Sequence, residues 1–332
     1  MEKGELEFLQ QQGIVFNNVI AKGGFGTIYN VYHVNYKSTF ALKSIPIVAF
    51  NQSELDCLIA LDDPKIVRLY KYFTYNDNCY MLMELCTNDL EKYIKMKKNI
   101  DKFEMKRLIQ DVITCVKACH DKKIAHSDIK PSNFLFDNYG RLKIGDFGLS
   151  DRYDDHPSST HYHGTRLYMA PEIFMNQEYN PMKADVWAIG VTIYYMVTKT
   201  FPFFSNNPLI LMATIQAGEY NRQKITDLEL RKLVSLCFKL DPKDRPTVDE
   251  LLQMSYFQTS SQSEEECIPL AALAPETHFG GNILNRSQQL IVKPNLSKSK
   301  VNLGIHNSQY QLLRGSRLKL LEPQKSPEAI AL

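Results

Sequence analysis

The sequence lacks an apolar stretch long enough to cross a membrane, and it lacks an excess of charge of either sign. Its longest apolar run, VWAIGVTIYYMVT at 186–198, is shorter than the ~20 residues that a transmembrane helix needs. The 39 Lys and Arg residues nearly balance the 37 Asp and Glu residues, which leaves a net charge of +2. No global field therefore favours nucleic acid or an anionic membrane. We expect no transmembrane segment and no nucleic-acid partner.

Paired cysteine motifs are also missing. The seven cysteines form no C-x-x-C pair, their number is odd, and no signal peptide is recognisable. These absences predict a reduced, intracellular setting, in the cytoplasm, the nucleus or both. Cys115 and Cys119 lie four residues apart on a predicted helix and could form half of a metal site, but buried structural thiols are the better interpretation.

The patterning of the chain predicts two lobes. With 332 residues and 44% hydrophobic content, the chain is long for one core and can fill two. Residues 14–85 are rich in β-branched and aromatic residues and predict a small antiparallel sheet that carries one helix. Residues 86–258 repeat apolar residues at three- and four-residue steps, as helices do. The predicted fold class is α+β, with residues 1–13 as an N-terminal extension.

Residues 259–332 have a different composition. They are rich in Ser, Gln and Asn with little periodicity, and this predicts a disordered tail. The stretch YQLLRGSRLKLLE at 310–322 could instead form a basic amphipathic helix on a partner or membrane. Gly315 and the irregular leucine spacing make that the weaker alternative. The sequence identifies no partner for the tail.

A glycine-rich turn connects the first two predicted strands. The segment AKGGFGTI at 21–28 would let backbone N–H groups approach phosphate oxygens, although glycines between strands more often make a plain hairpin. Farther along, Lys43 lies on an apolar strand, where an ammonium needs an anionic partner, and Glu54 on the next helix can supply one. Such a pair would hold Lys43 near the phosphates of a nucleotide. The alternative places both on a solvated surface.

Three polar side chains follow a predicted helix in the segment HSDIKPSN. Asp128 can orient a substrate hydroxyl and accept its proton, Lys130 can neutralise a migrating phosphoryl group, and Asn133 can bind a Mg²⁺ ion. Asp146, in the segment DFG, adds a carboxylate oxygen, which Mg²⁺ also prefers. Each element alone could be ordinary loop polarity. Together and in this order they indicate phosphoryl transfer.

In these motifs the sequence resembles the eukaryotic protein kinase family. The resemblance covers residues 14–258 and includes APE at 170–172, DVWAIG at 185–190 and DPKDRPT at 241–247. It implies a two-lobed fold, with lobes at 14–85 and 86–258, that binds ATP and Mg²⁺ in the cleft. The segments D-x-K-x-x-N and GTRLYMAPE are similar to those of serine/threonine kinases, which implies protein substrates with Ser or Thr acceptors.

The resemblance also implies roles for individual residues. Asp128 matches the catalytic base, and the implied catalytic set is completed by Lys130, Lys43 and Glu54. Asn133 and Asp146 match the metal ligands. The implied nucleotide-binding residues are Ile20, Ala21, Lys22, Gly23, Gly24, Phe25, Gly26, Thr27, Ile28, Ala41, Lys43, Glu84, Cys86, Leu135 and Asp146. Structural positions matched in the same way are the anchoring pair Glu172 and Arg245 and the apolar stack Leu58, Leu69, His126 and Phe147.

Three features depart from the family pattern. Ala21 stands where the first glycine of the loop is expected, and its methyl group restricts positive φ. Only residues 44–53 separate Lys43 from Glu54, which predicts a shortened helix. Ser127 replaces an arginine that, in relatives, pairs with a phosphorylated residue of the activation loop, which is residues 149–165 here. Serine cannot make that bidentate contact, but its presence removes no group expected to touch ATP, metal or substrate.

Control of the predicted enzyme is a separate question. His161 stands where loop-controlled relatives often carry a phosphorylated threonine. The hydroxyls of Ser158, Ser159, Thr160 and Tyr162 could still be acceptors, although an exposed polar loop explains them equally well. We therefore predict an active kinase that needs no loop phosphorylation. A pseudokinase scaffold is the alternative, favoured by the three departures and disfavoured by the retention of all six central groups.

Overall fold

The structure is a computed structural model that describes residues 2–23, 26–153, 156–175, 177–258 and 311–312. Its strands are β1 (Ile14–Gly23), β2 (Gly26–His33), β3 (Ser38–Pro46), β4 (Leu69–Tyr75), β5 (Asn78–Met83), β6 (Asn88–Asp89), β7 (Ile124–Ala125), β8 (Phe134–Phe136), β9 (Leu142–Ile144), β10 (Asp151–Arg152) and β11 (Gln311–Leu312). Its α-helices are α1 (Lys3–Gln11), α2 (Gln52–Ala60), α3 (Leu90–Met96), α4 (Lys102–His120), α5 (Pro181–Thr198), α6 (Pro208–Ala217), α7 (Leu228–Cys237), α8 (Val248–Leu252) and α9 (Ser255–Gln258).

An antiparallel sheet forms the first lobe, with strand order β1-β2-β3-β5-β4-β11. Side chains alternate between its two faces. Lys43 and Met81 lie on the face that packs on α2 and the second lobe, whereas Leu42 and Leu82 lie on the opposite face. The predicted α+β class, a small sheet beside a helical lobe, is confirmed.

Helix α1 covers the outer face of this sheet. Leu9 is only 1% exposed and packs in a cluster with Ile14, Phe73 and Tyr80. Phe8 stacks on Tyr75 with ring centroids 4.1 Å apart, and the Tyr80 hydroxyl donates a hydrogen bond to Glu5. Residues 3–11, which the sequence placed in an extension, thus complete the hydrophobic core of the first lobe.

Replacement of Leu9 by alanine should lower the free energy of unfolding by about 3 kcal/mol, because a buried leucine loses its contacts and leaves a cavity. Replacement of the neighbouring exposed Gln10 by alanine should change it by about 0.5 kcal/mol or less. Urea denaturation of the two variants measures both values. Equal stability of the two variants would show that α1 does not belong to the core.

The second lobe is built around helix α5. It is buried over most of its length, and Trp187 at its centre stacks on Phe203 with ring centroids 5.4 Å apart. Asn180 caps its first turn through hydrogen bonds to two backbone N–H groups, and Pro181 occupies its first position. Two small sheets, β6-β8-β9 and β7-β10, lie where this lobe meets the first. They carry the loops that hold the polar residues of the site.

The predicted tail at 259–332 lies outside the described residues except for Gln311–Leu312. These two residues form β11, which pairs antiparallel with Lys71 and Tyr72 on the edge strand β4. They are therefore in a strand and not in the helix considered as an alternative for 310–322. Among the described residues, no helix is both long and apolar enough to span a membrane.

Candidate active site

Lys43 on β3 and Glu54 on α2 form a buried ion pair. Their Nζ and Oε1 atoms are 2.6 Å apart, and their side chains are 8% and 4% exposed. The same ammonium lies 3.1 Å from Oδ1 of Asp146. Burial opposes the charge of Lys43, but the two carboxylates outweigh it and hold its pKa above the ordinary value. This geometry rules out the alternative in which both residues lie on a solvated surface.

The helix that carries Glu54 is short, as predicted. Helix α2 begins only after a 3-10 turn at Ile47–Ala49, and the side chain of Asn51 caps it by accepting a hydrogen bond from the Ser53 N–H. The Ser53 hydroxyl lies 3.0 Å from both the Ser150 carbonyl oxygen and Oδ1 of Asp151. The start of α2 is thereby bonded directly to the activation loop, a role of Ser53 that no sequence motif indicated.

Asp128 lies at the centre of a compact network. Lys130 Nζ is 2.6 Å from its Oδ2, and the Thr165 N–H and hydroxyl lie 3.1 and 2.9 Å from its Oδ1. Asn133 donates its side-chain amide to the Asp128 carbonyl at 2.8 Å. Although burial opposes ionisation, the bonds from Lys130 and Thr165 hold the pKa of Asp128 below its usual range. The carboxylate is therefore ionised and oriented at neutral pH.

Asn133 and Asp146 have the donor atoms that suit a magnesium ion. Asn133 uses its amide nitrogen toward Asp128, which leaves its carbonyl oxygen for a cation. The Asp146 side chain is 39% exposed and has only one oxygen paired with Lys43. Amide and carboxylate oxygens, with water and phosphates completing the shell, are what Mg²⁺ prefers. The described residues contain no cluster of three or more His, Cys, Asp or Glu that could hold a metal without ligands from water or phosphate.

Most of the predicted nucleotide-binding residues of the first lobe lie on the β1–β2 hairpin. Ala21 pairs with Ile28, and Lys22 with Thr27, across the β1–β2 hairpin. Gly26 has φ of +122°, and a Cβ there would lie 2.1 Å from the Ser44 carbonyl oxygen, so only glycine fits. Gly24 and Phe25 lie outside the described residues. Ile20 and Gly23 are exposed positions on β1.

The remaining nucleotide-binding candidates lie between the lobes. Ala41 on β3 and Leu135 on β8 are half-buried and pack against the core that joins the lobes. Cys86 follows β5 and is half-buried, and burial raises the pKa of its thiol to about 12. Glu84 forms an ion pair with Lys143, with 2.9 Å between Oε2 and Nζ. No sequence motif indicated a role for Lys143, which is buried.

An apolar stack connects the two lobes. The His126 and Phe147 rings have centroids 5.0 Å apart, and both residues are fully buried. Leu58 and Leu69 are also buried in the shared core. Below the stack, Asp185 accepts hydrogen bonds from the His126 and Ser127 N–H groups at 2.8 and 2.9 Å. Its Oδ2 is also 3.0 Å from His120 Nε2, a contact that no sequence motif indicated.

The activation loop contacts the strand that precedes the catalytic loop (126–133) and the segment around Tyr179. Strand β10 pairs with β7, which fixes the start of the loop against the catalytic loop. The Ser159 and Tyr179 backbones form a bridge, and the Tyr179 hydroxyl donates to the His161 carbonyl at 2.8 Å. Ser158 donates to Glu178.

The segment after the loop is anchored by Arg245. Two of its nitrogens lie 2.6 and 2.7 Å from the Glu172 carboxylate oxygens, a bidentate pair. The guanidinium also lies over the Trp187 ring, 5.1 Å from its centroid. The structure thus brings together the pair that the sequence singled out.

Comparison with known proteins agrees with this arrangement. Residues 14–257 match the protein kinase domain. The sperm motility kinase 3A of Mus musculus is 31% identical over 243 residues, which cover 72% of this chain and 48% of that protein. The carbon catabolite-derepressing protein kinase of Saccharomyces cerevisiae is 30% identical over 247 residues, 72% of this chain and 39% of that protein. The CBL-interacting serine/threonine-protein kinase 12 of Arabidopsis thaliana is 29% identical over 252 residues, which cover 72% of this chain and 51% of that protein.

The two-lobed fold is that of a protein kinase domain, a class of domain that implies ATP-dependent phosphoryl transfer. The chain belongs to the protein kinase family, and the Arabidopsis relative is named a serine/threonine-protein kinase. The chain spans about half or less of the length of these curated relatives.

Proposed function

We propose that this protein is an active serine/threonine kinase that transfers the γ-phosphoryl group of ATP to Ser or Thr hydroxyls of protein substrates. The observation that supports this best is the network around Asp128, in which Lys130 and Thr165 hold an ionised carboxylate at hydrogen-bond distance. That arrangement suits a base that receives the proton of a substrate hydroxyl.

Each central residue has a defined task in this proposal. Asp128 orients the acceptor hydroxyl and takes its proton, and Lys130, 2.6 Å from it, neutralises charge on the transferred group. Lys43, held by Glu54, contacts the α- and β-phosphates. Magnesium supplies charge neutralisation at the phosphates when bound, and Asn133 and Asp146 would hold it. The proposed nucleotide contacts are those of the β1–β2 hairpin, Ala41, Glu84, Cys86 and Leu135.

A pseudokinase scaffold is not favoured. A decayed site is expected to have lost at least one central group, whereas all six are retained. They form two bonded groups, Lys43 with Glu54 and Asp146, and Asp128 with Lys130 and Asn133. Contacts made by other residues compensate for two of the three departures from the family pattern. Ser53 ties the short helix to the loop, and Ala21 continues the β1 ladder.

The experiment that tests the proposal is incubation of the full chain with Mg²⁺-ATP and a mixed peptide library. Mass spectrometry of the peptides would identify phosphorylated Ser or Thr and the residues around them. Binding of a fluorescent ATP analogue is measured in parallel. Nucleotide binding without any transfer would contradict the proposal and favour the scaffold.

We predict that loop phosphorylation has little influence on the rate. The triple variant Ser158→Ala, Thr160→Ala and Tyr162→Phe removes the exposed loop hydroxyls and retains the Ser159–Tyr179 bridge. Its kcat should stay within about twofold of the parent value, since surface substitutions change free energies by about 0.5 kcal/mol or less. Phosphatase treatment of the parent should have equally little effect. A loss of tenfold or more in either experiment would indicate that phosphorylation controls the loop.

We further propose a cytoplasmic or nuclear setting for the enzyme. The six cysteines in the described residues are all free, and Cys115 and Cys119 are buried thiols that bond to backbone carbonyl oxygens. Free thiols are typical of reducing compartments. No nucleic-acid partner is proposed, because the charge of the chain is balanced. A partner for the tail is left to experiments on the full chain.

A further inference from the structure

Two residues with buried polar atoms line one small cavity beside the catalytic loop. The Ser127 Oγ and the His163 Nε2 are both shielded from solvent, and neither has a hydrogen-bond partner within the part of the chain that the structure describes. Both residues line a cavity of about 20 Å³, together with Asp128, Gly164 and Asp185. Ser127 belongs to the catalytic loop and His163 to the activation loop.

Such an arrangement is unusual, because buried polar side chains are nearly always hydrogen-bonded. A single orphaned atom could reflect local packing. Two orphaned atoms on different loops that border the same cavity indicate a shared partner. A cavity of this size accommodates about one water molecule, which needs two to four polar neighbours. Ser127, His163 and the carboxylate of Asp185 or Asp128 supply them.

The two loops touch at this point, so the cavity lies at their contact. Gly164 has φ of +108°, and a Cβ there would lie 2.9 Å from the Ser127 carbonyl oxygen. Only glycine allows this approach. Ser127 itself has φ of +64°, and its N–H donates to Asp185. Its main chain is therefore held, and its hydroxyl is the group available to the cavity.

We propose that one water molecule in this cavity links Ser127 to His163 by hydrogen bonds. This link positions the activation loop for catalysis without a phosphate group. The proposal rests on the kinase activity proposed above. The serine hydroxyl and the histidine Nε2 each make one hydrogen bond to the water, which donates its remaining proton to a carboxylate of the cavity wall.

The water-mediated link acts on the catalytic base Asp128 through Thr165. This residue lies two positions after His163, and both its N–H and its hydroxyl bond to Oδ1 of Asp128. A shift of His163 would move Thr165 and turn the carboxylate. Burial, together with the nearby His161, lowers the pKa of His163, so its ring is neutral at neutral pH and can accept a bond from water. His163 is therefore a positioning residue and does not touch the reacting atoms.

The test compares His163→Ala, Ser127→Ala and the double variant with the parent. Each single change should lower kcat about tenfold, because small misplacements of catalytic groups are costly, with the KM for ATP unchanged. The double variant should be no slower than the slower single variant, since both changes remove one shared link. His163→Gln, which keeps a hydrogen-bonding group, should restore most of the rate. The matched control is His156→Ala, on an exposed histidine of the same loop.

Losses that multiply in the double variant, or a His163→Gln variant no better than the alanine variant, would overturn the proposal. Amide hydrogen exchange gives a readout that does not depend on catalysis. Exchange at Thr165 should be faster in His163→Ala and in Ser127→Ala than in the parent. If the parent transfers no phosphate but exchange accelerates, the proposed function fails and the link stands. Unchanged exchange in both variants removes the link, whatever the activity.

Discussion

Replacement of Asp128 by asparagine is expected to lower kcat by about 10²–10⁴-fold, the usual contribution of a positioned general base. Asparagine has nearly the same shape but cannot accept the proton of the substrate hydroxyl. The affinity for an ATP analogue should be unchanged. Among the described residues the Asp128 side chain bonds to Lys130, Asn133 and Thr165, none of which lies in the β1–β2 hairpin. Steady-state kinetics and fluorescence titration measure the two quantities.

Asp121→Asn is the matched control. This aspartate caps the end of α4 and pairs with Lys117 on the surface, with a side chain 49% exposed. The control variant should keep its rate within about twofold, because exposed ion pairs contribute little. An Asp128→Asn variant that keeps a tenth or more of the parent rate would exclude Asp128 as the base. One that also loses nucleotide binding would indicate a role in folding.

The order of polar residues made most of this site predictable. Lys43, Asp128, Asn133 and Asp146 each stand in a short motif whose spacing phosphoryl transfer demands. The structure pairs Lys43 with Asp146, and Asn133 with Asp128. The shortness of the helix that carries Glu54 was also predictable, because only residues 44–53 separate it from Lys43. In these cases a short segment of sequence is enough to predict the role of the residue or the length of the helix.

Contacts between distant segments could not be predicted in the same way. Residues 3–11 were placed outside the two lobes, because a short helix with few apolar residues gives no signal of the sheet face that it covers. The bond between Ser53 and Asp151 joins residues 98 positions apart, and that between His120 and Asp185 joins residues 65 apart. The pairing of Ser127 with His163 depends on a cavity, which exists only once both loops are folded.

Lys43→Met and Glu54→Leu separate the structural from the chemical role of the ion pair. Lys43→Met should lower kcat/KM at least about 10²-fold, as expected when a charged group that contacts phosphates is lost. It should also lower the free energy of unfolding by about 3–5 kcal/mol, because Glu54 is left buried without a cation. Kinase assays and urea denaturation measure the two effects.

The double variant distinguishes the two roles, because an apolar pair of similar volume can replace a buried ion pair at little cost. Lys43→Met with Glu54→Leu should regain stability to within about 1 kcal/mol of the parent, while the rate stays as low as in Lys43→Met alone. Asp146 loses a partner in both variants, but its side chain is 39% exposed and water can solvate it. Recovery of phosphoryl transfer in the double variant would show that Lys43 only balances Glu54. Failure to recover stability would show that the lysine packs the core through contacts other than its charge.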